Sequence, residues 1–90
     1  MAHQFSVRLA PAFLKDLAKL PPAIRKETLK ALTILEAEPF GPPPKYKKLK
    51  GKGIGQWRLR IGSYRIRYDV IHKDVVLYRV RHRKDIYRGT

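Results

Sequence analysis

Residues 57–83 read WRLRIGSYRIRYDVIHKDVVLYRVRHR, and the period of that stretch decides the fold. Successive side chains on a strand point to opposite faces, so a period of two marks a half-buried sheet. Trp57, Leu59 and Ile61 share one face, with Arg58 and Arg60 opposite. Gly62-Ser63 turns the chain, after which Tyr64, Ile66, Tyr68 and Val70 alternate with Arg65, Arg67 and Asp69. Beyond a second turn at His72-Lys73-Asp74, alternation predicts Val76, Tyr78 and Val80 on the apolar side and Arg79, Arg81 and Arg83 on the other. Three strands joined by short loops make an antiparallel meander. Its inner face covers a core, and its outer face gathers seven arginines against a single strand carboxylate, Asp69.

Working outward from the meander, the period changes. Phe5, Val7 and Leu9 alternate with polar residues between Gln4 and Leu9, which predicts a first strand. Pro11 suits a first helical turn, and Phe13, Leu14, Leu17 and Leu20 then fall on one helical face. Pro21-Pro22 breaks that helix and opens the next, where Ile24, Ala31, Leu32 and Leu35 form the apolar stripe. The run Glu38-Pro39-Phe40-Gly41-Pro42-Pro43-Pro44 ends it, because proline lacks an amide donor and restricts the residue before it. The expected fold is α+β: an N-terminal strand, a helical hairpin, then an antiparallel three-stranded meander packed on the helices. At 90 residues the chain has room for one such domain, spanning 1–90.

Charge separates scaffold from working surface. The formal net charge is +14. Residues 1–44 hold 6 basic and 4 acidic side chains, whereas residues 45–90 hold 15 basic and 3 acidic. Such an excess repels itself in a compact chain and calls for a polyanionic partner, nucleic acid before an acidic membrane surface or protein. With 43% hydrophobic residues the chain can fold despite the charge. No apolar run approaches the roughly 20 residues of a membrane span. The amino terminus lacks the layout of a secretion signal, and a cytoplasmic protein is expected. The absence of cysteine excludes disulfides and thiolate zinc sites.

A solvated face would be served equally well by mixed lysine and glutamate. Arginine instead offers a planar fork that meets phosphate with two hydrogen bonds and can stack on bases. Arg58, Arg60, Arg67 and Arg81 are therefore candidate RNA contacts, joined by Lys47, Lys48, Lys50 and Lys52 just before the sheet, where Leu49 to Gly55 reads as a mobile basic loop. Acid–base chemistry on RNA also needs proton carriers, and His82, Arg83, Lys84, Asp85 and Tyr87 cluster at the carboxyl end. His82 alternates onto the Val80 face, where a packed or edge histidine is the plain alternative to an RNA contact. Tyr87 either carries a proton or staples the tail to the sheet. No metal-ligand cluster is visible, and neither metal nor cofactor is expected. Composition and alternation leave enzyme and binder both open.

The segments 57–65 (WRLRIGSYR) and 80–88 (VRHRKDIYR), in the order strand, helical hairpin, meander, resemble the RelE toxins of bacterial and archaeal toxin–antitoxin pairs, within the RelE/ParE superfamily. The resemblance implies a ribosome-dependent endoribonuclease that enters the decoding site and cuts messenger RNA by attack of the ribose 2′-hydroxyl, without a metal. It also implies an acidic, RelB-like antitoxin partner. Carried over by position, the catalytic residues are Arg65 of the Tyr-Arg pair, Arg83 of the His-Arg element, and Tyr87. Two departures stand out: Arg58 and Arg60 occupy a strand where relatives carry lysines, and Arg81 stands where glycine is common. Arginine is a poor proton donor, so if the reaction needs a lysine acid, Lys50 or Lys52 from the preceding loop would have to reach in. The rival expectations are a ParE-like inhibitor of DNA gyrase and a non-catalytic RNA- or DNA-binding module.

Overall fold

The computed structural model describes residues 4–50 and 55–85. Along them run β1 (Ser6–Leu9), α1 (Pro11–Ala18), α2 (Pro22–Ala37), β2 (Tyr46–Lys48), β3 (Trp57–Ile61), β4 (Tyr64–Ile71) and β5 (Asp74–His82). Both helices begin on a proline, whose fixed φ suits the first turn and whose missing amide is no loss there. Arg25 closes the gap between them, donating to the carbonyls of Leu17, Ala18 and Leu20 at the end of α1. A guanidinium at that position also favours the negative end of the helix dipole.

The meander of β3, β4 and β5 is present, but the sheet is larger than alternation predicts. Five strands pair in the order β1-β5-β4-β3-β2, and β1 runs parallel to β5, so the sheet is mixed. The sequence reading sets the lysines from Lys45 to Lys52 just before the sheet and foresees no strand there; Tyr46, Lys47 and Lys48 form one, pairing antiparallel with β3. Three residues are too few to display a period. Tyr46 is nevertheless buried opposite Leu59, and its hydroxyl donates to the Glu38 carbonyl at 2.8 Å. Burial first, and then the nearby Glu38 charge, push that phenol upward from its ordinary pKa.

A second correction concerns β5. Val75, Leu77 and Val80 are the buried residues, not Val76, Tyr78 and Val80. Strict alternation cannot bury both Leu77 and Val80. A β-bulge resolves the conflict: Arg67 pairs with Arg79 while Tyr68 pairs with Leu77, leaving Tyr78 as the extra residue. Tyr78 thereby comes near Asp69 on the arginine face; burial, then the Asp69 carboxylate beside it, raise its pKa. Downstream of the bulge the parity is restored, so Val80 again faces inward and Arg81 outward.

The core lies between the sheet and the helices. Phe13, Leu35, Leu59, Ile66, Tyr68, Val75 and Leu77 are fully enclosed. On α1 the buried line runs Phe13, Leu17, Leu20, the i, i+4, i+7 set, and Leu14 beside it is about half exposed. On α2 the line is Ile24, Thr28, Ala31, Leu35, with the Thr28 hydroxyl satisfied by the Ile24 carbonyl at 2.8 Å.

The edge of β5 explains the geometry around its arginines. Pairing with β1 ends at Leu77, whose carbonyl takes the Ala10 amide. Beyond it, α1 covers the edge: Asp16 accepts the Val80 amide at 3.1 Å and two bonds from Arg79 at 2.8 and 3.0 Å. One carboxylate thus substitutes for the missing strand.

Candidate nucleic-acid interface

Register brings the arginines into transverse rows. Arg60, Arg65 and Arg81 lie opposite one another on β3, β4 and β5. Lys47, Arg58, Arg67 and Arg79 make the neighbouring row, extended onto β2. Like charges directly opposite are destabilising in a sheet, so the fold carries these rows at a cost that an anion would relieve.

The face is less open than alternation implies. Arg65 and Arg67 are only 8% and 7% exposed. Arg65 donates through Nη1 to the carbonyls of Gly62 and Tyr64 at 2.8 and 2.9 Å. Arg67 holds the Gly55 carbonyl with Nε and Nη2 at 3.1 and 2.7 Å. Gly55 has φ +82°, and a Cβ there would meet the Tyr68 amide at 2.9 Å, so only glycine lets the backbone approach this closely. Arg79 is committed to Asp16, a bond that raises its already high pKa. Arg58 donates to the Pro44 carbonyl at 3.1 Å. Asp16, Gly55 and Pro44 are residues that sequence reasoning missed as partners of the arginines. Only Asp16 left a signal, as the one acid of an otherwise apolar helix carrying a single lysine.

The Arg65 guanidinium and the Arg83 backbone lie at one end of the sheet. The Arg65 guanidinium sits on the Gly62 carbonyl, and the Arg83 amide donates to the Ser63 carbonyl at 2.7 Å. Both are therefore tied to the β3–β4 turn, next to the row containing Arg60 and Arg81. His82 packs edge-on against Tyr64, ring centroids 5.3 Å apart, and its Nδ1 accepts the Lys84 amide at 3.2 Å. His82, Tyr64, Arg81, Asp85 and Asp16 line a polar notch of about 260 Å³ at this end. Lys47 and Lys48 are exposed on β2, and Lys50 is exposed just beyond it. Lys52 and Tyr87 lie outside the described residues. Among the described residues, no three His, Asp or Glu side chains group as metal ligands, and no helix is long and apolar enough to cross a membrane.

A family model described as the ParE toxin of the type II toxin–antitoxin system parDE matches residues 7–87. The chain belongs to the RelE/ParE toxin superfamily. Among members of that superfamily, toxin RelG of Mycobacterium tuberculosis is 38% identical over 87 residues, covering 93% of this chain and 97% of RelG. The protein RelE1 of Methanocaldococcus jannaschii is 32% identical over 90 residues, covering 96% and 98%. In three dimensions, the chain matches a crystal structure of a RelB–RelE antitoxin–toxin complex from Methanococcus jannaschii. That match has a TM-score of 0.73 at 32% identity and covers 92% of this chain and 98% of the other. The two helices and five-stranded mixed sheet are thus a RelE/ParE-type architecture, and the arginine rows are laid across its central strands.

Proposed function

We propose that residues 1–90 form one toxin domain of a type II toxin–antitoxin pair, acting in the cytoplasm as a ribosome-dependent endoribonuclease on messenger RNA in the decoding site. The observation that carries this reading is the Arg65 guanidinium held at the β3–β4 turn, with the Arg83 backbone bonded to the same turn, beside a row of arginines. In the reaction, the ribose 2′-oxygen attacks the adjacent phosphorus and the bond to the 5′-oxygen breaks. The products are a 2′,3′-cyclic phosphate and a 5′-hydroxyl. Arg65, fixed by two carbonyls, is a preorganised positive charge for the oxygens that gain charge in the transition state. Arg83 holds the same phosphate from the turn. Tyr87 takes the 2′-proton or stacks on the neighbouring base. Arg58 and Arg60 neutralise charge without donating protons, and Lys50 or Lys52 protonates the leaving oxygen. No step calls for a metal or cofactor.

The partner is an acidic, RelB-like antitoxin that covers the basic face. The support is the net charge of +14 together with the solved relative, a RelE-type chain bound to RelB. A second reading, inhibition of DNA gyrase, is favoured by the ParE description of the family model over residues 7–87. Induction without an antitoxin separates the two. The nuclease reading expects growth arrest with fragmented messenger RNA and intact DNA. Arrest with gyrase-linked DNA breaks and intact messenger RNA would replace it with the ParE-like reading, and normal growth would count against both.

A further inference from the structure

At the β2 edge of the sheet, away from the Arg65–Arg83 turn, lies a surface pocket of about 570 Å³, of whose lining the reaction above uses only Arg58. Its walls are the rings of Trp57 and Tyr46 and the prolines Pro43 and Pro44; Lys47, Lys48 and Arg58 stand around it. Among the described residues no carboxylate lines it. The volume falls within the range of small-molecule sites, and the mixture of apolar rings with a few placed cations is what such sites contain.

Two observations say what fits. First, the pocket is continuous with the arginine face, because Lys47 and Arg58 belong both to its lining and to the row that runs on through Arg67 and Arg79. Second, Arg58 is under-satisfied where it stands. One Nη2 bond reaches the Pro44 carbonyl, while its Nε is buried and makes no hydrogen bond among the described residues. A buried donor without an acceptor is costly, and a swing onto a phosphate relieves it. A planar ring between aromatic and proline walls, with a phosphate on the cations beside it, is the chemistry of one nucleotide in a single strand.

We propose that this pocket takes an unpaired nucleobase of the bound RNA, with Lys47, Lys48 and Arg58 holding its flanking phosphate. The inference rests on reading the arginine face as an RNA surface. It adds a base-reading subsite a few nucleotides from the scissile bond: β3 rises about 3.3 Å per residue, so Trp57 stands roughly 16 Å from the Gly62 turn.

Trp57 is the sole tryptophan, so the pocket carries its own fluorescent reporter. The probe is a short single-stranded 2′-deoxy oligonucleotide, which lacks the attacking hydroxyl and cannot be cut. Its end-labelled form reports binding by anisotropy. The expected result is saturable quenching of Trp57, with affinity falling roughly 5- to 100-fold and quenching lost when the oligonucleotide is made abasic at equal length and charge. Lys48→Glu, on an exposed strand position, should weaken binding several-fold and leave the quench at saturation intact. Binding without quenching, or equal quenching by the abasic strand, overturns the pocket and leaves the nuclease reading standing. Quenching without any cleavage on ribosomes does the reverse. Quenching by an acidic peptide while no oligonucleotide binds assigns the pocket to a protein partner and also overturns the inference.

Discussion

Asp16→Ala is the substitution whose cost the structure defines most sharply. The carboxylate accepts Arg79 at 2.8 and 3.0 Å and the Val80 amide at 3.1 Å, and it is 12% exposed where Arg79 is 34% exposed. Removing one partner of a buried pair costs about 3–5 kcal/mol, whereas an exposed pair is worth about 0–1 kcal/mol. Arg79 is a third open to water, which discounts the electrostatic part, but the orphaned Val80 amide adds about 1 kcal/mol. The loss should be about 2–3 kcal/mol. At ~4–8 °C per kcal/mol for a domain of this size, Tm falls on the order of 10–20 °C. Urea unfolding followed by circular dichroism measures the free energy, and Arg8→Ala provides the control. Arg8 pairs with Asp74 at 3.3 Å with both groups well exposed, so its loss should cost at most about 0.5 kcal/mol. If Asp16→Ala costs no more than that control, Asp16 is not closing the β5 edge and the account of the bulged strand is wrong.

Other consequences are open to measurement. Burial, with smaller contributions from Tyr46 and Glu38, raises the Tyr68 phenol, whose hydroxyl donates to the Pro39 carbonyl at 2.8 Å. A group raised in the folded state contributes stability below its ordinary pKa of 10.0, and this is lost as pH climbs above it. Thermal melts should therefore fall as pH climbs above about 10, and Tyr68→Phe should lessen that decline while costing about 1 kcal/mol at neutral pH. At Gly41 an added Cβ would collide with the Tyr46 ring, so Gly41→Ala should cost about 1–3 kcal/mol by denaturant unfolding, and an unchanged midpoint would contradict the packing. Binding of a single-stranded oligonucleotide should weaken steeply and log-linearly with salt in filter or anisotropy titrations; a flat salt response would remove phosphate from the arginine face.

Much of the fold is legible where periods are long. The eight residues of β4 and the sixteen of α2 each repeat their pattern often enough to be read, and the prolines mark both helix starts. What escapes is what no local period encodes. β2 is three residues long, the bulge at Tyr78 is a compromise between Leu77 and Val80, and the parallel β1–β5 pairing joins residues nearly seventy positions apart. The arginine face was readable as composition and as alternation. Its internal partners were not, because Gly55 and Pro44 act through backbone carbonyls that any residue carries. Arg65 and Arg83 were paired by resemblance, and the turn that joins them emerges only from β4 and β5 being neighbours.

The central claim is that the Arg65–Arg83 end of the sheet cuts RNA, and it is tested most directly on programmed ribosomes carrying a defined messenger. The ends of the fragments are mapped and their chemistry read. Wild-type protein should cut within the decoding-site codon and leave a 5′-hydroxyl and a 2′,3′-cyclic phosphate. Arg65→Ala and Arg83→Ala should each slow cleavage by about 100-fold or more, the typical loss for one preorganised charge-stabilising group, and Tyr87→Phe should slow it as well. An uncut messenger, or cleavage at undiminished rate in both arginine variants, would contradict the account.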